Sequence, residues 1–533
     1  MKTLNNSFHV ASVFNDNMVL QQGVPVPVWG WAEPGEKIIV SFSGQTKEAV
    51  AGNEGNPSSS KDSAVARWMV TLDPLKASST PQPMTVSSSK ITQSSNHKIT
   101  NILVGDVWLC GGQSNMKMRL CDTDMDKREL ANLADGSMRI SQIPERVAGR
   151  PMEDISTAWM SVSPDTAPGL PAVPYYFAHE LRRKLNVPVG LIVAAYGYTP
   201  IESWIPEEAL MSSPETRESL GTWKSLLEKS PGLINHLWDD HAAILKQRKD
   251  SGYNEKFAAW YQRAKELKAQ GLPLPPQPER PTGPGDPWSP TVLYNGMIAP
   301  LLHYALRGVI WYQGETDAIF GKSFLYRQTF PKLIDSWRKA WGIPELPFYF
   351  VQLANHDDVQ SENADEKWAE LREAQARALK IPHTGMAVTI DVGDKMDIHP
   401  KKKAQVGERL ARLALADTFG RKIIASAPLF KSMAIEGGRC RIRFSPEGSP
   451  IFLRPSNGRN GLEIAASDRN YLPAEAVVDD NSLIVWKDGL KSPVAVRYAW
   501  AADPVCSLFD AEDLPISPFR TDDWPLFTEK KQS

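Results

Sequence analysis

The feature that most constrains the fold is a series of apolar segments that alternate with helical patterns between residues 101 and 417. The strongly apolar segments lie at 101–110, 188–195, 308–312, 347–353 and 385–390. Helical periodicity occurs at 174–185, 325–341, 368–379 and 401–417. Strands that alternate with helices pair in parallel, because each helix returns the chain across one face of the sheet. The sequence therefore predicts an α/β fold with a doubly wound, largely parallel sheet.

The two ends of the chain show β patterning instead. Short strand-like runs, separated by turn clusters such as 78–83, occur at 25–31, 37–42, 67–72 and 84–87. Further runs occur near the other end at 439–444, 451–453, 482–486 and 494–498. This spacing is typical of small β-sandwiches. We expect β-sandwich-like domains at 1–102 and 421–533, around an α/β domain made of 103–204 and 291–420.

Residues 205–290 interrupt the α/β alternation. Apolar residues recur at helical spacing over 254–270, which predicts a helix there. The following stretch, 271–290, is rich in proline and predicts an extended connector. We interpret 205–290 as a helical insertion, which serves either as a lid over a site or as a decoration or oligomer contact.

Charge and cysteine content exclude several function classes. Lys and Arg number 60 and Asp and Glu 62, so the net charge of -2 gives no basic field for nucleic acid or a membrane surface. The longest apolar stretch, 187–198, is interrupted by Pro188 and Gly190 and is too short for a membrane helix. The 4 cysteines lack metal-ligand spacing. We expect no metal, no cofactor, no nucleic acid and no membrane partner.

The first segment that suggests chemistry is 111–116 (GGQSNM), directly after the first predicted strand. Glycines at a strand end let the backbone turn sharply, which places the Ser114 hydroxyl at the carboxyl edge of the sheet. Ser114 is a candidate nucleophile, and its own N–H is placed to face a developing oxyanion. Taken alone, the segment slightly favours a Ser/Asn turn without chemistry.

The second segment, 391–400 (DVGDKMDIHP), follows the last predicted strand. His399 has the pKa that a general base requires near neutral pH. A nearby acid would orient the imidazole and stabilise its protonated form. Asp397 lies two residues earlier, so both side chains point the same way in extended backbone. Asp394 and Asp391 are rivals for this role.

Two further segments follow the remaining strands. In 311–318 (WYQGETDA), the Gln313 amide is a candidate oxyanion donor and Glu315 a candidate acceptor for backbone donors, or only a buried brace. In 196–204 (YGYTPIESW), Gly197 either presents an open backbone N–H or forms a tight turn. Together the segments place a nucleophile, a base and oxyanion donors at one sheet edge, which meets the geometric requirements of a serine hydrolase.

The segments GQSNM (112–116), WYQGE (311–315) and DIHP (397–400) resemble the block motifs of SGNH-type hydrolases and, more narrowly, of the sialate O-acetylesterase family. The likeness covers nearly the whole chain, including 16–21, 25–35, 104–116, 293–314, 493–500 and 515–522. It implies an SGNH-type catalytic domain in a serine esterase that removes O-acetyl groups from sugars without a metal or cofactor.

The resemblance also implies roles for individual residues. Ser114 matches the nucleophile, His399 the base and Asp397 the acid. Gly197 matches the glycine of the second block. Gln313 lies in the third block, where more distant relatives use asparagine as an oxyanion donor.

The chain departs from the family pattern in three places. Tyr198 stands where the family usually has a second glycine, 194–196 reads Ala-Ala-Tyr in place of a Ser-Ser-Trp-like run, and 315–317 reads Glu-Thr-Asp where Glu-Ser-Asn is usual. We expect Tyr198 to narrow or reshape the acyl or sugar side of the pocket. The resemblance implies O-acetylated sialic acid as the substrate. The alternatives are acetylated xylan or another plant polysaccharide, and an inactive carbohydrate-binding protein, which two β domains and 17 tryptophans would suit.

Location also follows from the resemblance. Family members usually work outside the cytoplasm, which implies a periplasmic or secreted protein with its signal absent from this chain. The first residues, MKTLNNSFHV, include Lys2 but no apolar segment after it. A cytoplasmic location is the alternative.

Overall fold

The computed structural model describes residues 8–52, 65–89, 97–229, 237–281, 285–357 and 363–529 and shows a mixed α/β fold with several sheets. The N-terminal part is built from strands. They are β1 (His9–Val10), β2 (Val19–Gln21), β3 (Val26–Ala32), β4 (Lys37–Phe42), β5 (Gln45–Val50), β6 (Ala66–Leu72) and β7 (Ser78–Ser88). Strands β1, β3 and β6 form one sheet, and the others join a second. The prediction of a turn at 78–83 is wrong, because these residues belong to β7.

The second sheet contains the predicted parallel strands. It includes β8 (His97–Gly112), β9 (Asp135–Gln142), β10 (Trp159–Val162), β11 (Val189–Ala195), β12 (Gly308–Tyr312), β13 (Phe348–Val351) and β14 (Thr384–Ala387). Their order is β10-β9-β11-β8-β12-β13-β14, with every neighbouring pair parallel except β10 with β9. The chain builds outward from β8 first on one side and then on the other. Such a switch point creates a crevice at the carboxyl ends of the central strands.

The described ranges contain helices on both faces of this sheet and, in the insertion, helices that pack on other helices. They are α1 (Ser114–Lys117), α2 (Lys127–Leu130), α3 (Ala172–Leu185), α4 (Glu207–Leu210), α5 (Pro214–Lys229), α6 (Leu237–Asp250), α7 (Tyr253–Ala269), α8 (Glu315–Ile319), α9 (Ser323–Trp341), α10 (Ala364–Arg377) and α11 (Lys403–Asp417). Trp108 of β8 packs edge-on against Phe177 of α3, and Trp311 of β12 packs against Trp337 of α9. Because Gly111 pairs with Trp311, positions 108 and 311 face opposite sides of the sheet. None of the helices in the described ranges has the length and hydropathy that a membrane crossing requires.

The C-terminal part returns to β structure, as predicted. Its strands are β15 (Leu429–Glu436), β16 (Arg439–Ser445), β17 (Phe452–Leu453), β18 (Leu462–Ala465), β19 (Tyr471–Pro473), β20 (Glu475–Asp479), β21 (Ser482–Trp486), β22 (Ala495–Tyr498), β23 (Leu508–Phe509) and β24 (Phe519–Arg520). They form two four-stranded sheets and one two-stranded sheet. The helix predicted at 254–270 is α7, inside the insertion.

One strand is shared between two parts of the chain. The first half of β8 pairs with β2 and β7, and its second half pairs with β11 and β12. The predicted division at 102/103 therefore falls inside a continuous strand. The strand ends at Gly112, which puts the next residues at the carboxyl edge of the parallel sheet.

Candidate active site

The nucleophile segment begins where β8 ends. Gly112 has a φ of +140°, and a Cβ atom at this position would lie 2.1 Å from the carbonyl oxygen of Tyr312. Only glycine permits this close approach of the two strands. The Gln113 N–H then donates to the same carbonyl at 3.0 Å, and α1 starts at Ser114. This turn leaves the Ser114 side chain half-buried at the sheet edge.

The structure brings Ser114 and His399 together. Nε2 of His399 lies 2.8 Å from Oγ of Ser114, although the two residues are 285 positions apart. Burial lowers the pKa of His399, the charge of Lys403 lowers it further, and Asp397 partly opposes both effects. The imidazole is therefore neutral at neutral pH, which is the state in which it accepts the serine proton.

The acid side is arranged more loosely. Asp397 accepts the backbone N–H of His399 through Oδ1 at 2.9 Å, while the same oxygen lies 3.9 Å from Nδ1 of the ring. Asp397 therefore acts on the ring by charge, beyond hydrogen-bond distance. Asp394 accepts a backbone N–H in its own turn. Asp391 forms a two-point ion pair with Arg409, with both distances 2.6 Å.

A buried network of hydrogen bonds adjoins Ser114 and His399. Its centre is Asn115, the residue after the nucleophile. The Asn115 amide donates to Glu315 at 2.5 Å and to the carbonyl of Ile398, the residue before the base, at 2.9 Å. The side-chain oxygen Oδ1 of Asn115 accepts a hydrogen bond from Nζ of Lys403 at 2.6 Å. The Asn115 side chain therefore links four parts of the chain. They are the turn at 112–114, called the nucleophile turn after the predicted role of Ser114, the segment 391–400, called the base loop after that of His399, α8 and α11.

The charged ends of this network are strongly perturbed by burial. Burial raises the pKa of Glu315, and the hydrogen bond from Asn115 and the charge of Lys403 oppose that rise. Burial lowers the pKa of Lys403 to about 7, against the attraction of Glu315. Glu315 and Lys403 bind opposite ends of the Asn115 side-chain amide, and these two hydrogen bonds keep the amide in a single orientation. Glu315 accepts from the Asn115 side chain and from its own backbone N–H. Its predicted role toward backbone donors of the other active-site loops stays a prediction.

Gln313 directly follows β12, at the same edge of the sheet as Ser114, but its side chain is hydrogen-bonded to other residues. Its amide donates to Asp317 at 2.5 Å and to the carbonyl of Thr199 at 3.1 Å, and its Oε1 accepts from Tyr326 at 3.0 Å. Burial raises the pKa of Asp317 to about 8. Both amide hydrogens are thus engaged, so the oxyanion role predicted for Gln313 requires them to leave these partners.

Gly197 lies directly against the nucleophile. A Cβ atom at this position would lie 3.5 Å from Cβ of Ser114. A larger side chain would therefore fill space beside the serine, whereas glycine leaves the backbone open. The next residue, Tyr198, has a φ of 58°, which is unusual for a non-glycine residue.

The chain is similar to known carbohydrate esterases over nearly its whole length. The family model described as "Carbohydrate esterase, sialic acid-specific acetylesterase" matches residues 282–416. Curated relatives include the sialate O-acetylesterases of Pongo abelii, 29% identical over 96% of this chain and 92% of the relative, and of Homo sapiens, 28% identical over 96% and 92%. The crystal structure of a carbohydrate acetylesterase from Xanthomonas citri superposes with a TM-score of 0.76 at 31% identity, covering 97% of this chain and 100% of that one.

The chain belongs to this carbohydrate esterase family. The resemblance seen in the sequence motifs is confirmed, and the protein is a carboxylic ester hydrolase that removes O-acetyl groups from carbohydrate. Within the residues that the structure describes, no group of three His, Cys, Asp or Glu side chains is placed to hold a metal ion.

The insertion of this esterase borders the site on two sides. Lys265 of α7 donates to the carbonyl of Met396 at 2.6 Å, inside the base loop. Trp288, near the end of the insertion, donates its indole N–H to the carbonyl of Tyr198. The insertion therefore contacts both the loop that carries the base and the segment that adjoins the nucleophile.

Sequence reasoning missed Asn115 and Lys403. Both lie inside or just after quoted motifs, at 112–116 and three residues past 397–400. A lysine at the start of an otherwise amphipathic helix usually lies in solvent. The available signal was the position of Lys403 at the first turn of α11, directly after the base loop, where its side chain faces the sheet edge.

Proposed function

We propose that this carbohydrate esterase works by two-step acyl transfer with Ser114 as nucleophile and His399 as general base. The observation that carries the proposal is the 2.8 Å contact between Oγ of Ser114 and Nε2 of His399 at the carboxyl edge of the parallel sheet. This distance lies within the range over which a base removes the proton of a serine hydroxyl.

In the first step, Ser114 Oγ attacks the acetyl carbonyl carbon while His399 Nε2 takes the hydroxyl proton. The backbone N–H groups of Ser114 and Gly197 stabilise the oxyanion of the tetrahedral intermediate, each contributing on the order of 10²–10³ in rate. The intermediate collapses, and His399 donates its proton to the sugar oxygen that leaves. In the second step, His399 takes a proton from a water that attacks the acetyl carbon, and donates it to Oγ of Ser114 as the ester bond breaks and acetate leaves.

Asp397 supports the protonated His399 by charge in this scheme. Its carboxylate favours the imidazolium that forms in each step, since an opposite charge nearby raises the pKa of a histidine. The same carboxylate fixes the loop by accepting the His399 backbone N–H. Asp397 is therefore a positioning residue as well as an electrostatic one.

The domain assignment follows the same reasoning. We infer that 103–204 and 291–420 form an SGNH-type catalytic domain, with β domains at 1–102 and 421–533 and a helical insertion at 205–290. The support is the parallel sheet with its nucleophile at the switch strand. An extracytoplasmic location is inferred from the family alone.

O-acetylated sialic acid is the first substrate to test, because the family model and the curated relatives are named for it. Acetylated xylan is the second, because Tyr198 replaces a family glycine beside the nucleophile. Side-by-side hydrolysis rates on the two substrates separate them.

The mechanism is tested by Ser114→Ala, with Ser456→Ala as a control on an exposed turn far along the chain. We expect Ser114→Ala to fold, as judged by circular dichroism, and to lose p-nitrophenyl acetate hydrolysis and labelling by a fluorophosphonate probe. Ser456→Ala should keep both. Full activity in Ser114→Ala would refute the assignment of the nucleophile.

A further inference from the structure

Three aromatic side chains from separate parts of the chain meet at Tyr198, the residue after Gly197. Tyr198 follows Gly197, Trp288 belongs to the insertion, and Phe320 caps α8. The ring of Trp288 lies 5.2 Å from that of Tyr198 and 4.7 Å from that of Phe320, and the rings of Tyr198 and Phe320 lie 6.1 Å apart. We call these three residues the aromatic platform.

The platform adjoins the catalytic residues through the backbone. Tyr198 is bonded to Gly197, whose Cβ position lies 3.5 Å from Cβ of Ser114. Phe320 ends the short helix that starts at Glu315, the partner of Asn115.

The platform presents apolar surface to solvent. The side chain of Phe320 is 42% exposed, and Tyr198 and Trp288 are half-buried. A large exposed apolar side chain that is next to a site and packed against other rings indicates a binding surface more often than a scattered one does. Phe452, with a similar exposure of 43%, lies on the C-terminal β structure, away from this cluster.

The platform is also held in place from behind. The Trp288 indole N–H donates to the Tyr198 carbonyl, and the guanidinium of Arg280 lies 4.1 Å from the centre of the Trp288 ring. Asp286 fixes Arg280 through two bonds of 2.7 and 2.5 Å and accepts the Trp288 backbone N–H at 3.0 Å. A rigid aromatic surface loses little conformational entropy when a ligand binds to it.

We propose that Tyr198, Trp288 and Phe320 form a subsite on which the pyranose ring of the acetylated glycan stacks while its ester reaches Ser114. This inference rests on the proposed function, since it takes Ser114 as the reacting residue. The three rings are inclined to one another by 53°, 80° and 68°, so they form a cluster with one outward ring instead of a single flat surface. The apolar C–H face of a pyranose ring stacks on a single aromatic ring, and Phe320, the most exposed of the three, supplies that ring while Tyr198 and Trp288 flank it. Sialic acid and xylose share the pyranose ring, so both sources fit the platform.

The first test compares Phe320→Ala with the control Phe452→Ala. Substrates are 9-O-acetyl-N-acetylneuraminic acid, partially acetylated xylo-oligosaccharides and p-nitrophenyl acetate, which has no pyranose ring. We expect Phe320→Ala to lower kcat/KM for one of the glycans about 10-fold more than for p-nitrophenyl acetate, mainly through KM, as expected for a lost anchor. Phe452→Ala should leave all three rates unchanged.

Two further variants separate stacking from simple apolar contact. Phe320→Tyr keeps the ring and should retain most glycan turnover, whereas Phe320→Leu keeps apolar volume and should behave like Phe320→Ala. Trp288→Ala removes a hydrogen bond as well as a ring, so its melting temperature is measured first. The glycan whose turnover falls identifies the source of the ring.

The outcomes distinguish this inference from the proposed function. Suppose that Ser114→Ala abolishes all hydrolysis. If Phe320→Ala then lowers glycan and p-nitrophenyl acetate turnover equally, or lowers neither, the proposed subsite is refuted and the proposed mechanism stands. If Ser114→Ala retains activity, the proposed function fails first.

Discussion

The two halves of the catalytic centre are supported in different ways. The residue after the nucleophile, Asn115, is buried and holds three hydrogen bonds of 2.5, 2.9 and 2.6 Å to three other elements. The base has a more open setting, since the side chains of His399 and Asp397 are 42% and 49% exposed and lie 3.9 Å apart. The comparison indicates that the hydrogen bonds of Asn115 fix the relative positions of Ser114 and His399 more than Asp397 does.

The sharpest way to break this comparison is Asn115→Ala. The substitution disconnects the nucleophile turn from the base loop and leaves Glu315 and Lys403 buried without their common partner. We expect kcat/KM for p-nitrophenyl acetate to fall about 100-fold, because small displacements of reacting groups carry penalties of that size. Asn132→Ala, which removes an exposed amide on another segment, is the control. A loss under about threefold would show that the network does not position the site.

Lys403→Met tests the charged end of the network, with the exposed neighbour in Lys402→Met as control. Loss of a charged hydrogen bond to Asn115 should lower kcat/KM about 10-fold. Because Lys403 lowers the pKa of His399, its removal should raise that pKa. Activity requires neutral His399 and is lost as pH falls through its pKa, so the acid limb of the kcat/KM profile should move to higher pH. An unmoved limb would contradict the electrostatic part of this account.

Asp397→Asn should have the smallest effect of the three. Asparagine retains an oxygen for the His399 backbone N–H, so the loop is preserved while the charge is lost. Asp397 raises the pKa of His399, so the acid limb should move to lower pH, opposite to Lys403→Met. We expect kcat to fall by about 10-fold or less, since the carboxylate lies beyond hydrogen-bond distance of the ring. A fall of about 10⁴-fold, as in tightly bonded triads, would mean that the carboxylate bonds the ring during turnover.

The parallel core and the proximity of Ser114 and His399 could be predicted from the sequence. Strands such as β11 and β12 are buried on both faces, so their apolar runs are continuous and easy to recognise. Ser114 and His399 each follow such a strand, and carboxyl ends of parallel strands meet at one edge.

Other strands lacked that signal. β9 reads DGSMRISQ and contains no continuous apolar run. It is nevertheless a strand, because its backbone pairs with β10 and β11. β7 begins with Ser, Thr and Pro, which are typical of turns, yet it pairs with β8 through an irregular register. Their strand character comes from neighbours distant in sequence, which local propensity does not report.

The side-chain partners were harder still. The position of Gln313 directly after a strand predicts an amide donor for the oxyanion. In the structure this amide donates to the carboxylate of Asp317, which lies one helical turn later. The identity of the residue that an amide contacts depends on rotamers and packing, and a pattern of residue types does not contain this information. Asn115 was in plain view within GQSNM, and its three partners lie 200 or more positions away.

The continuous strand β8 has a consequence for how this chain can be divided. Its 16 residues begin among the N-terminal strands and end two positions before Ser114. The same strand therefore pairs with N-terminal strands along its first half and with strands of the parallel sheet along its second half. A fragment that starts at 103 would shorten the central strand, remove its β2 and β7 partners and expose unpaired backbone at the amino end of the parallel sheet. The N-terminal strands are therefore not a removable appendage, and swapping them between relatives would transplant part of the catalytic scaffold itself.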